Sequence, residues 1–292
     1  MTDTDLEAAR RFREDGYVIL PEIFDAAETR ALQQAFQELV DAGKLHNVAT
    51  DNDRRTRSDS KINLQVCPLS HHHPFFAALP FQARVREAVT ALLGGPTYKF
   101  LDQIFYKPGR VGSGTNWHQD NTYFGVEDPF IGLGFWVAIH DATAENGTLQ
   151  VLPRHFHAVA PHGPDPESDH HDRMYPEDED AAVICEVPAG GAVAFCFNTP
   201  HRTTGNSTDR GRAGAAFHFM RCGHTGPFNE GANPHAEFPL YGIEGKAHGP
   251  VVSGPTYSRG VEEYGRDMEA QFAEEARRLA AAYSPAVAGA PA

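Results

Sequence analysis

The chain has 292 residues, 41% hydrophobic and 22% charged, the balance of an ordinary globular protein with enough material for a substantial core. Its formal net charge of −14 argues against nucleic acid and anionic membrane surfaces as partners, since both attract a basic face. No apolar run approaches the roughly 20 residues of a transmembrane helix, and the acidic start Met1-Thr2-Asp3-Thr4-Asp5 lacks the basic-then-apolar order of a secretory signal. Cys67, Cys185, Cys196 and Cys222 show no C-x-x-C spacing, so reduced thiols and a cytoplasmic location are expected.

Residues 6–13 have helical spacing and stop at Asp15-Gly16, a C-cap signal; Tyr17-Val18-Ile19-Leu20, closed by Pro21, reads as a strand. Residues 26–42 place Leu32, Phe36, Leu39 and Val40 at helical period and end at Gly43. Residues 46–60 are polar without period and read as a loop, as does His71-His72-His73. Residues 81–93 predict a second amphipathic helix, ended by Gly94-Gly95-Pro96. The texture then changes to short apolar runs split by Gly and Pro, the pattern of a β barrel or sandwich: 98–106, turned by Lys107-Pro108-Gly109; 131–139; 148–152; 182–187 and 192–197 around a Pro-Ala-Gly-Gly turn; and 213–221. Residues 264–283 predict a C-terminal helix, followed by a small-residue tail expected to be disordered. With no repeat and no dividing linker, one domain is expected over 1–292. It comprises a helical region to about residue 95, a β core over about 96–225, and the last helix.

The chemistry is carried by Thr115-Asn116-Trp117-His118-Gln119-Asp120. Successive side chains of an extended backbone alternate faces, so His118 and Asp120 point the same way. They make two thirds of a 2-His-1-carboxylate site, which clips Fe(II) on one face and leaves positions open for oxygen chemistry. His201 is favoured as the third ligand because it follows Phe195-Cys196-Phe197, a strand end; His218, on the next strand, is the competitor, and its ordinary reading is a packed or hydrogen-bonded core histidine. The H-x-D pattern alone is weak. His170-His171-Asp172 also fits it and His235-Ala236-Glu237 is the glutamate version, but both sit in polar, proline-containing segments with no strand to align the side chains. Arg212, 11 residues beyond His201, opens the strand 213–221 facing a barrel interior, where a guanidinium grips a carboxylate through two parallel charge-assisted bonds. Trp136 reads as core, or as an apolar wall over a flat cosubstrate.

These blocks resemble the phytanoyl-CoA dioxygenase family of Fe(II)/2-oxoglutarate oxygenases, from Asp15-Gly16-Tyr17-Val18 to about Arg221. The carriers are Lys107-Pro108-Gly109, then Trp117-His118-Gln119-Asp120, residues 136–141, Glu145-Asn146-Gly147-Thr148-Leu149 with Leu152-Pro153, and His201 with Gly205-Asn206-Ser207 and Arg212. The resemblance implies a mainly-β double-stranded β-helix (jelly roll, cupin-like) with flanking N- and C-terminal helices. It implies iron on His118, Asp120 and His201, 2-oxoglutarate on the metal with its far carboxylate on Arg212, and Gln103 and Trp136 lining that pocket. Lys61 matches a lysine that reaches the cosubstrate in some relatives. The implied reaction consumes O2, releases succinate and CO2, and oxidises an unactivated C–H, most simply to an alcohol; desaturation and ring closure share the chemistry. Asp120 argues against a halogenase, whose small residue there makes room for halide. Pro153-Arg154-His155 departs from the family's common Pro-Gly-Ser-His and is expected to reshape the loop near the substrate entrance. A zinc hydrolase and a non-catalytic cupin-like metal-binding sensor are the rival readings; the former leaves Arg212 and Trp136 unexplained.

The segment 165–180 holds Asp165, Glu167, Asp169, Asp172, Glu177, Asp178, Glu179 and Asp180 against one base, Arg173. It leads to the expectation of a polar, cationic small-molecule substrate, such as an amino sugar or other secondary metabolite. Arg54, Arg55, Arg57 and Lys61 form a local basic group, read either as an anion site or as partners of Asp51, Asp53 and Asp59.

Overall fold

The computed structural model describes residues 3–221, 251–253 and 259–283, with side chains described over 5–221 and 265–283. Cys222, the His235-Ala236-Glu237 alternative and the tail beyond 283 lie outside the described residues. The first helix, α1 (Asp3–Asp15), ends at Gly16, where φ is +83° and an added Cβ would stand 2.5 Å from the Phe156 ring; only glycine makes this turn. The chain enters β1 (Tyr17–Leu20) at once. α2 (Ala26–Asp41) starts from a capping box: the Asp25 carboxylate accepts from the Ala27 and Glu28 amides, while Glu28 accepts from the Asp25 amide. It buries Leu32, Phe36 and Leu39, as their spacing predicts.

The region read as loop, 46–60, opens on the short strand β2 (His46–Asn47), and β3 (Leu64–Val66) follows it. His73 is not solvated as expected but 7% exposed. Its Nδ1 accepts from the Phe75 amide at the start of α3 (Pro74–Ala78) and its Nε2 meets Glu38 at 3.1 Å, so it joins two helices. α4 (Ala83–Leu93) closes on left-handed Gly94. The strands β4 (Thr97–Lys107) and β5 (Thr115–His118) follow, then the one-turn α5 (Asn121–Phe124), β6 (Gly132–Ala138), β7 (Leu149–Val151), β8 (Gly163–Pro164), β9 (Asp172–Arg173), β10 (Val183–Ile184), β11 (Ala192–Cys196), β12 (His201–Thr203), β13 (Arg212–Arg221) and β14 (Val251–Ser253); α6 (Arg259–Ala282) is the last element.

Every strand pairing is antiparallel among the described residues. The larger sheet runs β1-β11-β6-β13-β4-β3-β2 with β14 beside β4; the smaller runs β10-β7-β12-β5; β8 and β9 pair only with each other. The two-residue period sorts the larger sheet. Leu133, Phe135 and Val137 of β6 and Phe217 and Phe219 of β13 enter one core with the helices, while Trp136, Val193, Phe195 and Ala216 pack with Leu149 and Val151 of the smaller sheet. Strands covered on both faces have no reason to alternate, which is why 131–139 reads as an unbroken apolar run. α6 lies on the helical side: its Phe272 ring stands 5.2 Å from Phe75, and Arg278 pairs with Glu38 at 3.2 Å. No helix among the described residues is long and apolar enough to cross a membrane. Cys67, Cys185 and Cys196 are free thiols.

Candidate active site

In the smaller sheet β5 pairs with β12, and the register sets His118 directly opposite His201. Their ring centroids stand 4.0 Å apart. Asp120, just past the end of β5, brings Oδ1 to 3.7 Å from Nε2 of both histidines. The three side chains are buried, and one ligand atom from each lies within 4.8 Å of the others; among the described residues they are the one group of His, Cys, Asp and Glu so placed. Backbone carbonyls set the imidazole orientations: His118 Nδ1 donates to Asn116 at 2.9 Å and His201 Nδ1 to Thr199 at 3.0 Å. A carbonyl only accepts, so both rings are Nδ1–H tautomers and both bare Nε2 atoms converge. Burial drives the His118 pKa well below its ordinary value and lowers that of His201 too, so both stand neutral, as metal ligands must. Burial works to raise the Asp120 carboxyl, but His201 and His218 outweigh it and keep it ionised. His218 Nε2 donates to Asp120 Oδ2 at 3.1 Å, leaving Oδ1 to the two ligand histidines. His218 is thus the hydrogen-bonded core histidine of its ordinary reading, spent on orienting a ligand.

The inner face of β13 runs Arg212, Gly214, Ala216, His218: a cation, two bare positions, then the imidazole behind Asp120. Arg212 is 0% exposed; it donates through Nη2 to Gly147 O and through Nε to Asn146 O, while Nη1 has no partner among the described residues. Its guanidinium carbon lies 5.4 Å from the Trp136 ring centroid. A Cβ at Gly214 would stand 2.2 Å from Trp136 Cζ2, so the missing side chain is what lets the indole lie on the strand. Lys107, opposite Arg212 on β4, is 1% exposed and donates to the carbonyls of Gly147 and Thr204. Burial pulls Arg212 down to about 9; burial and then Arg212 pull Lys107 well below its usual value. Neither cation has a carboxylate partner among the described residues. Buried charge left unbalanced in this way is costly, and a dicarboxylate with one end on Arg212 fits both the surplus charge and the unused Nη1. Gln103, Trp136, Arg212 and the triad line one cavity between the sheets.

One side of the cavity is built by the β8–β9 hairpin, from which His170 and His171 line it. The His171 ring stands edge-on to His118, centroids 4.1 Å apart and planes at 88°. Burial, then His170 and His201, push its pKa down to about 3, so it is neutral. The hairpin is tied to the basic group near residue 54: Arg54 meets Asp172 at 3.2 Å, Arg57 meets Asp169 at 2.5 Å, Lys61 pairs with Glu167, and the Thr50 amide donates to Glu167 O. Arg173 and Arg202 take Asp165 and Glu179.

A model of the phytanoyl-CoA dioxygenase (PhyH) family matches residues 12–214, a stretch holding the triad, Gln103, Trp136 and Arg212, with His218 just beyond it. The chain belongs to the phytanoyl-CoA dioxygenase family. An ectoine dioxygenase of Stutzerimonas stutzeri (strain A1501) is 28% identical over 226 residues, covering 71% of this chain and 74% of that protein. EvdO2 of Micromonospora carbonacea var. aurantiaca, solved with 2-oxoglutarate, is 25% identical with a TM-score of 0.57, over 76% of this chain and 91% of that one. The epimerase SnoN, solved with Fe3+, α-ketoglutarate and nogalamycin RO, shares the fold at a TM-score of 0.64 and 20% identity, over 88% and 98%. The expected double-stranded β-helix stands, and so does the class: a dioxygenase using iron and 2-oxoglutarate.

Of the residues singled out in the sequence, this dioxygenase brings His118, Asp120, His201, Gln103, Trp136 and Arg212 to one cavity. It does not bring Lys61 there: the Lys61 ammonium is engaged by Glu167 and does not line the cavity. Nor do Asp165, Glu167, Asp169 and Asp172 hold unpaired negative charge for a cationic substrate, because each faces an arginine or lysine. Arg154, left-handed at φ 64°, bonds Asp15 at 2.8 Å and so fixes its loop to the end of α1. His171 is the cavity residue that pattern-reading discarded. The usable signal was charge: four bases within 54–61 and four acids within 165–172 are complementary, and that match would have placed the segment over the site.

Proposed function

We propose that this dioxygenase hydroxylates an unactivated C–H bond of a small polar molecule, a secondary metabolite rather than a macromolecule. One cavity holds both halves of the requirement, and that carries the reading: three ligand atoms within 4.8 Å of one another, and a fully buried guanidinium with an unused donor. His118 and His201 would hold iron through Nε2 and Asp120 through Oδ1. Arg212 would take the far carboxylate of 2-oxoglutarate, with Trp136 and Gln103 along its chain. When bound, iron and 2-oxoglutarate consume O2, release succinate and CO2, and supply the oxidising power for C–H cleavage. The chain's own part is positional. The carbonyls of Asn116 and Thr199 and the His218 ring fix the three ligands, the bare face at Gly214 and Ala216 leaves room for the cosubstrate, and aromatic walls keep bulk water out. A zinc hydrolase would have no use for Arg212. Among the described residues Cys185 and Cys196 are buried free thiols and Cys67 a half-buried one, which suits the reducing cytoplasm.

The test is anaerobic reconstitution with Fe(II) and 2-oxoglutarate followed by O2, with succinate measured against time. Wild type is expected to form succinate and His201→Ala none. Arg212→Met is expected to raise the KM for 2-oxoglutarate on the order of 100-fold, the loss of a buried charge-assisted pair. A wild-type protein that forms no succinate and whose melting temperature ignores 2-oxoglutarate would sink the reading.

A further inference from the structure

The cavity has a second end, beyond the triad from Arg212. Arg212 and His218 are six residues apart on β13, about 20 Å of strand. Around His218 the lining turns aromatic: the rings of Phe100 and Phe124 stand 5.9 and 5.6 Å from it, and Leu101 and Tyr123 complete the wall. Among the described residues no formal charge beyond that of Asp120 lines this end. That carboxylate is committed, with one oxygen on His218 and the other facing the ligand imidazoles. Arg202, although it borders the cavity, has its guanidinium over Trp117 at 4.7 Å and bonded to Gln150 and Glu179.

Most polar groups at this end are already committed. The Tyr123 hydroxyl accepts from the Asp172 amide at 2.8 Å, and His170 is bonded to Asp169. His171 differs. Its Nδ1 donates to the Asp172 carbonyl at 2.9 Å, which makes Nε2 the bare acceptor, and Nε2 has no hydrogen-bond partner among the described residues. The main chain that carries the ring is held from several sides: the Asp165 amide donates to His171 O at 2.9 Å, the Asp172 amide donates to the Tyr123 hydroxyl, and the Met174 amide donates to Trp117 O at 2.8 Å. A rigid acceptor edge-on to the ligand His118, between aromatic walls, is a device for orienting a donor-bearing molecule beside the metal site.

We infer that His171 positions the substrate of this oxygenase, its bare Nε2 accepting a hydrogen bond from a hydroxyl on an uncharged, apolar-bodied molecule held between Phe100, Tyr123 and Phe124. The inference rests on the reading of the site given above and names its substrate class. The carbon bearing or flanking that hydroxyl is the one presented to the triad. Among the described residues a cation would meet ring faces and this one neutral acceptor, with no uncommitted carboxylate to balance its charge.

Three probes on one benzyl frame separate the alternatives: benzyl alcohol, toluene and benzylammonium. Each is titrated anaerobically into protein loaded with Fe(II) and 2-oxoglutarate, using wild type, His171→Phe and His171→Gln. The visible absorption of the Fe(II)–2-oxoglutarate complex is recorded first, to report an assembled site, and its change on titration reports binding. Wild type is expected to prefer benzyl alcohol over toluene by about fivefold, the worth of one net hydrogen bond. His171→Phe, which keeps a ring and loses the acceptor, should erase that preference, and His171→Gln, which keeps an acceptor, should restore part of it. Equal binding of toluene, a preference that survives in His171→Phe, or a stronger response to benzylammonium would each overturn the inference while the absorption stays intact. Absence of the absorption in wild type would instead sink the iron and 2-oxoglutarate reading, and this one with it.

Discussion

Each of the three converging ligand atoms is aimed from behind by a hydrogen bond: His118 by Asn116 O, His201 by Thr199 O, and Asp120 by His218. The first two use main chain and survive any substitution that keeps the strands; the third depends on one side chain. His218→Phe should leave Asp120 Oδ2 buried without a donor and free the carboxylate to rotate. Loss of such an outer partner typically costs 10- to 100-fold in metal affinity, and a drop of that order is expected in an anaerobic Fe(II) titration. Unchanged affinity in a folded His218→Phe protein would mean that packing alone orients Asp120. The same residue shows what a sequence conveys at this scale. His118 and Asp120 were legible as a pair because strand period is local, whereas His201 was preferred over His218 only for its place at a strand end; the pairing that sets it opposite His118 is tertiary.

At the scale of elements, the apolar strands were legible, including the short β1, β7 and β10, and the short polar ones were not. β4, β6, β11 and β13 declared themselves as apolar runs because both faces of the larger sheet are covered. β12 is three residues, His201-Arg202-Thr203, with no apolar pattern; it exists because β5 and β7 supply partners on either side. The β8–β9 hairpin is held by ion pairs to residues some hundred positions earlier, a register that no local periodicity encodes. β13 carries the sharpest element-level consequence. Its inner face must be bare between Arg212 and His218, and Gly214→Ala would put a methyl 2.2 Å from the Trp136 indole. The strand cannot retreat, since it is paired on both sides with β4 and β6. The indole must therefore swing into the space assigned to 2-oxoglutarate, with an overpacking penalty of about 1–3 kcal/mol. The expected result is a lower melting temperature together with a raised 2-oxoglutarate KM, while Fe(II) affinity stays near wild type because the triad sits on the other sheet. A change in stability alone would show that the indole has somewhere else to go.

Over the whole molecule, the larger sheet separates two environments: helices and their apolar core on one face, and a cavity holding polar and charged groups on the other. That division places several neutral histidines in a protein whose overall charge is negative, so acid acts on it in two opposed ways. Falling pH relieves the self-repulsion of a chain at −14, which stabilises the fold. It also protonates histidines in the unfolded chain that the native fold keeps neutral, which destabilises it. His140 isolates the second effect away from the metal ligands: its Nδ1 accepts from the Ala213 amide at 3.0 Å, and burial, then Arg212 and Arg210, push it from 6.5 down to about 4. Above 6.5 neither state binds the proton and His140 contributes no slope. Between 6.5 and about 4 the unfolded chain takes up a proton that the folded one refuses, so stability falls as pH falls; below 4 both are protonated and the slope ends. Midway between those values the slope approaches the full linkage value of about 1.4 kcal/mol per pH unit, and it fades near either end, where both states are partly protonated. His140→Asn can keep an acceptor for Ala213 and has nothing to titrate. Denaturant melts of metal-free wild type and His140→Asn at pH 7.5, 6.5, 5.5 and 4.5 should therefore show a constant difference down to 6.5 and, below it, a growing relative loss for wild type. Parallel curves across that range would place the imidazole in contact with solvent and remove the effect.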